Sequence, residues 1–233
     1  MLIAIHQPNF FPWLGYFDKI RRADVFIFLD NVDYPRKGSG GMGSWVNRVQ
    51  LCVQGKAKWV TCPVKRASLG TRILAVEIDD GQVWRTKLQK TLTAGYGRAP
   101  HFNNTMTLLQ PLFESPEGNL ATFNISAIKV IAAYLGIATQ FLRQSELAHQ
   151  GSSTRLLISL VKAAGGKAYL AGGGAAGYQE DEIFAEEGIQ LVYQRFMPRP
   201  YGDPTRFLPG LSIIDYLMHD GRPLEEVLTT TEA

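Results

Sequence analysis

The residues best suited to chemistry lie in the segment from His6 to Trp13, HQPNFFPW, which follows a short apolar run. Histidine titrates near neutral pH and serves as a general acid, a general base or a donor to phosphate. Two prolines stiffen this segment, which favours a site whose groups are fixed before a ligand arrives. Gln7, Asn9 and Trp13 are suited to orient a ligand or to stack on it. The alternative is a structural turn in which His6 bonds to backbone and the aromatic rings pack in the core.

A second candidate is the glycine-rich run YLAGGGAAGY, which extends from Tyr169 to Tyr178. Its glycines, Gly172, Gly173 and Gly174, let backbone N–H groups approach an anion, and the helix predicted to follow adds its dipole. The run matches neither the Walker A pattern nor the Rossmann fingerprint. A tight connection between a strand and a helix therefore remains an open alternative.

Two arginines are candidates for clamping a carboxylate or phosphate. Arg48 follows a glycine-rich, basic loop at 35–45, and Arg155 lies in the first turn of a predicted helix. A cation in that turn opposes the helix dipole, which favours an anionic partner for Arg155. The alternatives are a mobile surface loop and solvated surface arginines. The chain contains no HExxH, GxSxG, CxxC or EF-hand pattern, so we predict no metal site and can identify no cofactor.

The elements that would position these residues alternate between strand and helix. We predict a mainly parallel sheet with helices on both faces, a Rossmann-like α/β fold of which a nucleotidylyltransferase-like arrangement is one form. Ligands of such folds bind beyond the carboxyl ends of the strands, so His6 and the 172–178 loop should lie at one edge of the sheet. The predicted elements are strands at 2–5, 25–29, 139–143, 168–171 and 189–196, and helices at 13–22, 152–164 and 180–187.

The intervening sequence predicts a hairpin and a helical insert within one domain, residues 1–233. Strands are expected at 46–53 and 58–64, joined at Gly55, and at 73–78. The insert covers about 83–136, with helices at 83–94, 104–115 and 119–135. Pro111 should kink or shorten the second helix, and Asn119 and Gly136 should bound the third. Short helices at 211–219 and 223–229 are expected to end the chain.

Composition indicates a globular protein, and we expect its partner to be a small-molecule substrate of anionic character. Of 233 residues, 45% are apolar and 19% charged, and the net charge of +3 is too small to predict a nucleic-acid or membrane partner, although it would not repel an anionic substrate. Cys52 and Cys62 lack metal-ligand spacing, so both are expected to be reduced thiols. No signal peptide or apolar stretch of membrane-spanning length is visible, so we expect a cytoplasmic location. Nothing in the sequence indicates an oligomeric state.

Several motifs resemble the WbqC-like protein family, in order and over nearly the whole chain. They are HQPNFFPWLGYFDKI with ADVFIFLD, WVNRVQL, STRLLISLVKAAGGKAYLAGGGAAGY with GIQLVYQRF, and FLPGLSIIDYLMHDG. The chain departs from the family pattern at 35–45, which is longer and richer in glycine. The positions that match the family are His6, Gln7, Pro8, Pro12, Trp13, Gly15, Tyr16, Asn47, Arg48, Arg155, Tyr169, Gly172, Gly174, Tyr178, Ser212 and Asp215.

The resemblance implies a role in bacterial O-antigen, surface-polysaccharide or specialised-metabolite biosynthesis. One hypothesis is a transferase that moves an acyl or aminoacyl group onto an amino sugar or related amine, with His6 as the base and the glycine-rich loop holding an anionic donor. A second is a nucleotidylyltransferase-like enzyme, because a strand that ends in His-x-Pro before a helix is similar to the nucleotide loops of that fold. A third is a non-catalytic binding protein of a biosynthetic complex.

Overall fold

A computed structural model of the chain describes residues 1–36, 44–172, 180–220, 222 and 224–230. Its strands are β1 (Leu2–His6), β2 (Val25–Phe28), β3 (Arg48–Val53), β4 (Lys56–Thr61), β5 (Gln140–Arg143), β6 (Ala168–Ala171), β7 (Gln190–Tyr193), β8 (Phe196–Pro198) and β9 (Leu228–Thr230). Its α-helices are α1 (Leu14–Arg22), α2 (Trp84–Tyr96), α3 (Phe102–Glu114), α4 (Leu120–Tyr134), α5 (Ser153–Ala163), α6 (Asp181–Glu186), α7 (Ile213–His219) and α8 (Leu224–Val227).

The central sheet has five parallel strands in the order β5-β2-β1-β6-β7. This confirms the predicted α/β fold with a parallel sheet. The chain first builds outward from β1 through β2 to β5, and then crosses to the other side of β1 for β6 and β7. The direction of winding therefore reverses between β1 and β6, which makes this pair the topological switch point where open α/β sheets bind ligands.

Both faces of the sheet are covered, because neighbouring residues of a strand point to opposite sides. On one face, Ala4 and Phe26 belong to the larger apolar core, which also contains side chains of α1 and α4. On the other face, Ile3 and Ile5 pack in a second core with side chains of α5 and α6. Burying an aliphatic or aromatic side chain of this size contributes about 1.5–3 kcal/mol, so strands that are apolar on both sides fix the sheet in the interior.

The predicted hairpin is present as the antiparallel pair β3–β4. Gln54 and Gly55 form its two-residue turn, and both have positive φ, at 54° and 71°. Such turns match the twist of the flanking strands, which explains the glycine at the second position.

The prediction of a strand at 73–78 was wrong, because a 3₁₀ helix occupies Ile73–Ala75. The backbone N–H groups of Ile73 and Leu74 donate to the carbonyl oxygens of Val32 and Asp30, in the loop after β2, at 3.0 and 2.9 Å. These donors therefore pair with a loop and not with a neighbouring strand.

Helices α2, α3 and α4 occupy the predicted insert. The Asn119 side chain caps α4 by accepting a bond from the Thr122 backbone N–H at 3.0 Å, and Gly136 follows the helix at a φ of 71°. Helix α3 continues to Glu114 past Pro111. Ser152 precedes α5, but its side chain makes no capping bond. At the end of the chain, the predicted last helix is reduced to α8, and β9 pairs with β8.

No helix within the described ranges is both long enough and apolar enough to cross a membrane.

Candidate functional site

His6 and Gly172 lie side by side at the switch point. The parallel pairing of β1 with β6 aligns Leu2 with Ala168 and Ala4 with Leu170. Continued by two residues, this register places Gly172 opposite His6. The first glycine of the run that follows β6 therefore lies at the same edge of the sheet as the histidine, where the carboxyl ends of the two strands meet.

The hydrogen bonds of His6 define its tautomer. Its Nδ1 lies 3.1 Å from the carbonyl oxygen of Gln7. A carbonyl only accepts, so Nδ1 carries the proton and Nε2 is left with its lone pair. Burial, and secondarily the charge of Lys19, lower the pKa of His6 to about 4, although the Gln7 carbonyl opposes this shift. At neutral pH the ring is therefore an uncharged acceptor at Nε2.

Tyr16 holds the start of the His6 segment in place. Its hydroxyl donates to the Gln7 carbonyl at 2.9 Å, so this oxygen accepts from two side chains. The Tyr16 ring also meets the His6 ring edge to face, with the centroids 4.9 Å apart. Tyr16 is buried in α1, so a helix fixes the orientation of both the imidazole and the Gln7 carbonyl.

Lys19, which the sequence analysis did not single out, lies beneath the same edge. It is 3% exposed, and its Nζ donates to the carbonyl oxygen of Ile5 at 2.8 Å. Nζ is 5.7 Å from the centre of the Tyr169 ring, and a Cβ atom on Gly172 would lie 3.9 Å from it. Burial lowers the pKa of Lys19 to about 7. A signal was present in the sequence, because Tyr16 and Lys19 are three residues apart and so share one face of α1.

The rest of the His6 segment is anchored from the helical insert. The buried side chain of Asn124 donates from Nδ2 to the carbonyl oxygens of Pro8 and Val46, at 2.9 and 2.7 Å. The Phe10 backbone N–H donates to the carbonyl of Trp45 at 3.0 Å. The segment is therefore held between the sheet and the residues that precede β3.

Asn9 and Trp13 occupy different environments. Asn9 is buried, and its Oδ1 has no hydrogen-bond partner among the described residues. The Trp13 ring packs against Phe196 at 5.1 Å and covers Gly15, where an added Cβ would lie 2.5 Å from the indole. The position of the Trp13 ring therefore requires a glycine at residue 15. The Trp13 ring packs against protein atoms here.

The two candidate arginines lie apart from each other. Arg48 begins β3, and its guanidinium lies 4.1 Å from the ring centre of Trp59, with a buried Nε that has no hydrogen-bond partner within the described ranges. Asn47 donates to the carbonyl of Cys62 at 3.1 Å, which closes the hairpin. Arg155 is exposed in the first turn of α5. No contact of the described residues joins either arginine to His6 or Lys19.

The structure places the remaining candidates as follows. The buried ring of Tyr169 stacks on Phe184 with centroids 5.3 Å apart. Ser212, one of the positions that match the family, donates from Oγ to the Phe11 carbonyl at 2.7 Å and so joins α7 to the His6 segment. Gly173, Gly174 and Tyr178 lie outside the described residues, as does 37–43 of the glycine-rich loop. Within the described ranges, no three His, Cys, Asp or Glu side chains converge as metal ligands would.

Comparison with known proteins gives a family and one relative. The family model of the WbqC-like protein family matches residues 7–225. The chain is 28% identical over 231 residues to the uncharacterized protein Rv1507c of Mycobacterium tuberculosis (strain ATCC 25618 / H37Rv), and the alignment covers 97% of this chain and 96% of that protein. No solved structure matches the chain. The resemblance identified from the sequence motifs is thereby confirmed.

Proposed function

Because the chain belongs to the WbqC-like protein family, we propose that it is a biosynthetic transferase of bacterial O-antigen, surface polysaccharide or specialised metabolites. It moves an acyl or aminoacyl group from an anionic donor to an amino sugar or related amine. The observation that carries this proposal is the neutral His6 at the switch point, with Nδ1 bonded to Gln7 and Nε2 available as an acceptor, directly beside the buried Lys19.

His6 acts on the attacking amine. As the nitrogen adds to the donor carbonyl it becomes positively charged, and its proton becomes far more acidic than that of a free amine. Nε2, which is unprotonated at neutral pH because the pKa of His6 is about 4, accepts this proton and returns it to the leaving group. The C–N bond forms and the bond between the acyl carbon and its carrier breaks, so no other reactant is needed.

Lys19 and Gly172 act on the donor. The Lys19 ammonium lies beneath the start of the glycine-rich run, where it provides positive potential at the edge between β1 and β6. Binding an anion there favours the charged form of Lys19, so it raises the lysine pKa from about 7 and draws a proton from solvent. Arg155, exposed in the first turn of α5, is the arginine that we assign to the outer part of the donor.

A second candidate is nucleotidyl transfer, and the strand order favours it. Numbered within the sheet alone, the strands run 3-2-1-4-5, and the histidine ends the first of them. That switch point suits a mononucleotide, whose phosphates would occupy the glycine-rich side. Under this reading the phosphate charge favours protonation of His6, which then donates from Nε2 to a phosphate oxygen and does not take a proton from an amine.

Donor identity separates the two candidates. Thermal unfolding is measured with acyl-coenzyme A thioesters, nucleoside triphosphates and nucleotide sugars. The transferase predicts that a thioester raises the melting temperature, that His6→Gln keeps this rise, and that Lys19→Met loses it. Stabilisation by a nucleoside triphosphate alone would favour nucleotidyl transfer.

Catalysis is tested by complementation of a strain that lacks the gene. His6→Gln should lower product formation by about 10²–10⁴-fold, the usual loss when a general base is removed. His101→Gln is the matched control, because this half-buried histidine directly precedes α3, away from the strand ends. A folded His6→Gln protein with full activity would leave only a binding role for the site.

A further inference from the structure

A cavity of about 510 Å³, separate from the His6 site, lies between the β3–β4 turn, the end of α2 and helix α7. Its volume falls within the range of small-molecule sites. It is lined in part by Cys52, Tyr96, Tyr201, Phe207, Asp215 and His219. None of these residues takes part in the function proposed for His6.

The floor of this cavity is the buried carboxylate of Asp215. The Tyr96 hydroxyl donates to Oδ1 at 2.8 Å, and the Tyr201 hydroxyl donates to Oδ2 at 2.9 Å. Tyr96 is itself oriented, because its oxygen accepts the Cys52 backbone N–H at 2.8 Å. Each carboxylate oxygen of Asp215 accepts two bonds, so each keeps one lone pair after the tyrosines are counted.

Asp215 lacks a full cationic partner within the described ranges. Arg206, which also lines the cavity, pairs with Asp203 at 3.5 Å. The Nδ1 of His219 lies 3.7 Å from Asp215 Oδ1, but its hydrogen bond, at 3.0 Å, goes to the backbone carbonyl of Asp215. Burial raises the pKa of Asp215. A buried carboxylate held only by neutral donors is costly unless a cation joins it.

The walls of the cavity are aromatic. The rings of Tyr201 and Phe207 meet edge to face with centroids 5.1 Å apart, and the Tyr96 ring lies 5.4 Å from that of His219. Aromatic faces attract cations, and carboxylates pair with them. Cys52 adds no nucleophile, because burial and the charge of Asp215 raise the pKa of its thiol.

We infer that this cavity is a binding site for a small ligand that carries a protonated amine, with the ammonium group on the free lone pairs of Asp215 and the rest of the ligand against Tyr201 and Phe207. The site does not rest on the function proposed for His6. It is defined by its own carboxylate and its own walls, and it remains if the His6 proposal fails.

The test compares glucosamine with glucose, which differ by one ammonium group in place of a hydroxyl. Both sugars are titrated calorimetrically into the full chain at pH 6.5. Hydrogen bonds to charged groups are worth about 1.5–3 kcal/mol, so glucosamine should bind about 10–100-fold more tightly. Asp215→Asn should remove this preference, and His6→Gln should keep it. Asp203→Asn is the matched control, because this exposed rim carboxylate already has partners in Arg206 and Thr205.

Two further measurements keep the inference open to refutation if Asp215→Asn does not fold. Tyr201→Phe removes one donor but keeps the carboxylate, so it should retain the preference for glucosamine. In the wild-type protein, nuclear Overhauser contacts should join bound glucosamine to the ring protons of Tyr201 and Phe207. Equal binding of the two sugars, a preference that survives in Asp215→Asn, or contacts confined to other residues would each overturn the assignment.

Discussion

Replacing Lys19 with methionine removes an ammonium group that the fold holds at 3% exposure. Burial lowers its pKa from 10.5 to about 7, and each pKa unit corresponds to about 1.4 kcal/mol, so the charged form costs the folded protein about 5 kcal/mol. The substitution also removes the hydrogen bond to the Ile5 carbonyl, a loss of about 1–3 kcal/mol. We therefore expect Lys19→Met to stabilise the protein by about 2–4 kcal/mol at pH 6.

The effect has a defined pH window. Lys19 loses its proton near pH 7 in the folded state and near pH 10.5 in the unfolded state. Between these values the unfolded chain binds more protons, so this group makes stability rise with pH, by up to about 1.4 kcal/mol per unit. The variant lacks this rise. Its advantage over the wild type should therefore shrink above pH 7 and disappear near pH 9.

The assay is urea unfolding of both proteins at pH 6, 7, 8 and 9, analysed as the difference in the free energy of unfolding at each pH. Taking this difference cancels the titration of all other groups that the substitution leaves unaffected. Lys90→Met is the matched control, because Lys90 is exposed on α2. A difference for Lys19→Met that stays constant within about 0.5 kcal/mol would show that the Lys19 amine is solvated, and would refute the reasoning.

Three further predictions concern the same region. In proton NMR titrations, His6 should show a pKa of about 4; in Lys19→Met it should rise, because a like charge is lost, but stay below 6.5, because burial remains. Asn124→Ala should lower the free energy of unfolding in urea by about 2–4 kcal/mol, because two carbonyls lose their donor. Gly15→Ala should lower it by about 1–3 kcal/mol and change tryptophan fluorescence, because the new Cβ would overlap the Trp13 ring.

Each of these predictions has a contrary outcome and, for the two structural variants, a matched control. An unchanged His6 pKa in the lysine variant would mean that the two groups do not interact. Asn103→Ala, at an exposed position of α3, should leave stability nearly unchanged, and an equal effect of both asparagine variants would contradict the anchoring role. Gly118→Ala controls for Gly15→Ala, because a Cβ at Gly118 meets no atom within 4 Å.

The parallel sheet was predictable because its strands carry their own signals. The short apolar runs that end at His6 and at Phe28 are bounded by turn residues, and they alternate along the chain with amphipathic helices. Once parallel pairing is accepted, chain direction alone places His6 and Gly172 at the same edge of the sheet. Their adjacency depends on the strand order, in which β6 is a neighbour of β1. Sequence reasoning failed at 73–78, where the buried Ile73, Val76 and Ile78 imitate a strand. The backbone N–H groups of Ile73 and Ile78 donate to Val32 and Gly118, in loops elsewhere in the chain, which a local pattern does not reveal.

The buried charges were harder to predict, because tertiary contacts decide their environment. A lysine within a helix normally extends to solvent, and only the packing of α1 against the β1–β6 edge encloses Lys19. Asp215 belongs to a motif that resembles the family, but the two tyrosines that hold its carboxylate, Tyr96 and Tyr201, precede it by 119 and 14 residues. The fold brings the members of such a cluster together from separate elements, and hydrophobic periodicity does not predict which elements meet.

The free-energy cost of burying the Lys19 ammonium group indicates a functional role for this residue. A methionine would fill similar space without the penalty of about 5 kcal/mol, so packing alone gives no reason for a lysine under Gly172. Groups that lower the stability of the folded protein, and that the surrounding structure holds in place, are typical of ligand sites. An anion at this edge would offset part of that cost, whereas a neutral ligand would not. If the proposed donor site is correct, anion binding relieves the unfavourable burial of the Lys19 ammonium group, and this relief contributes to the affinity for the anion. The Lys19→Met protein should therefore be more stable than the wild type and should also fail to bind the donor.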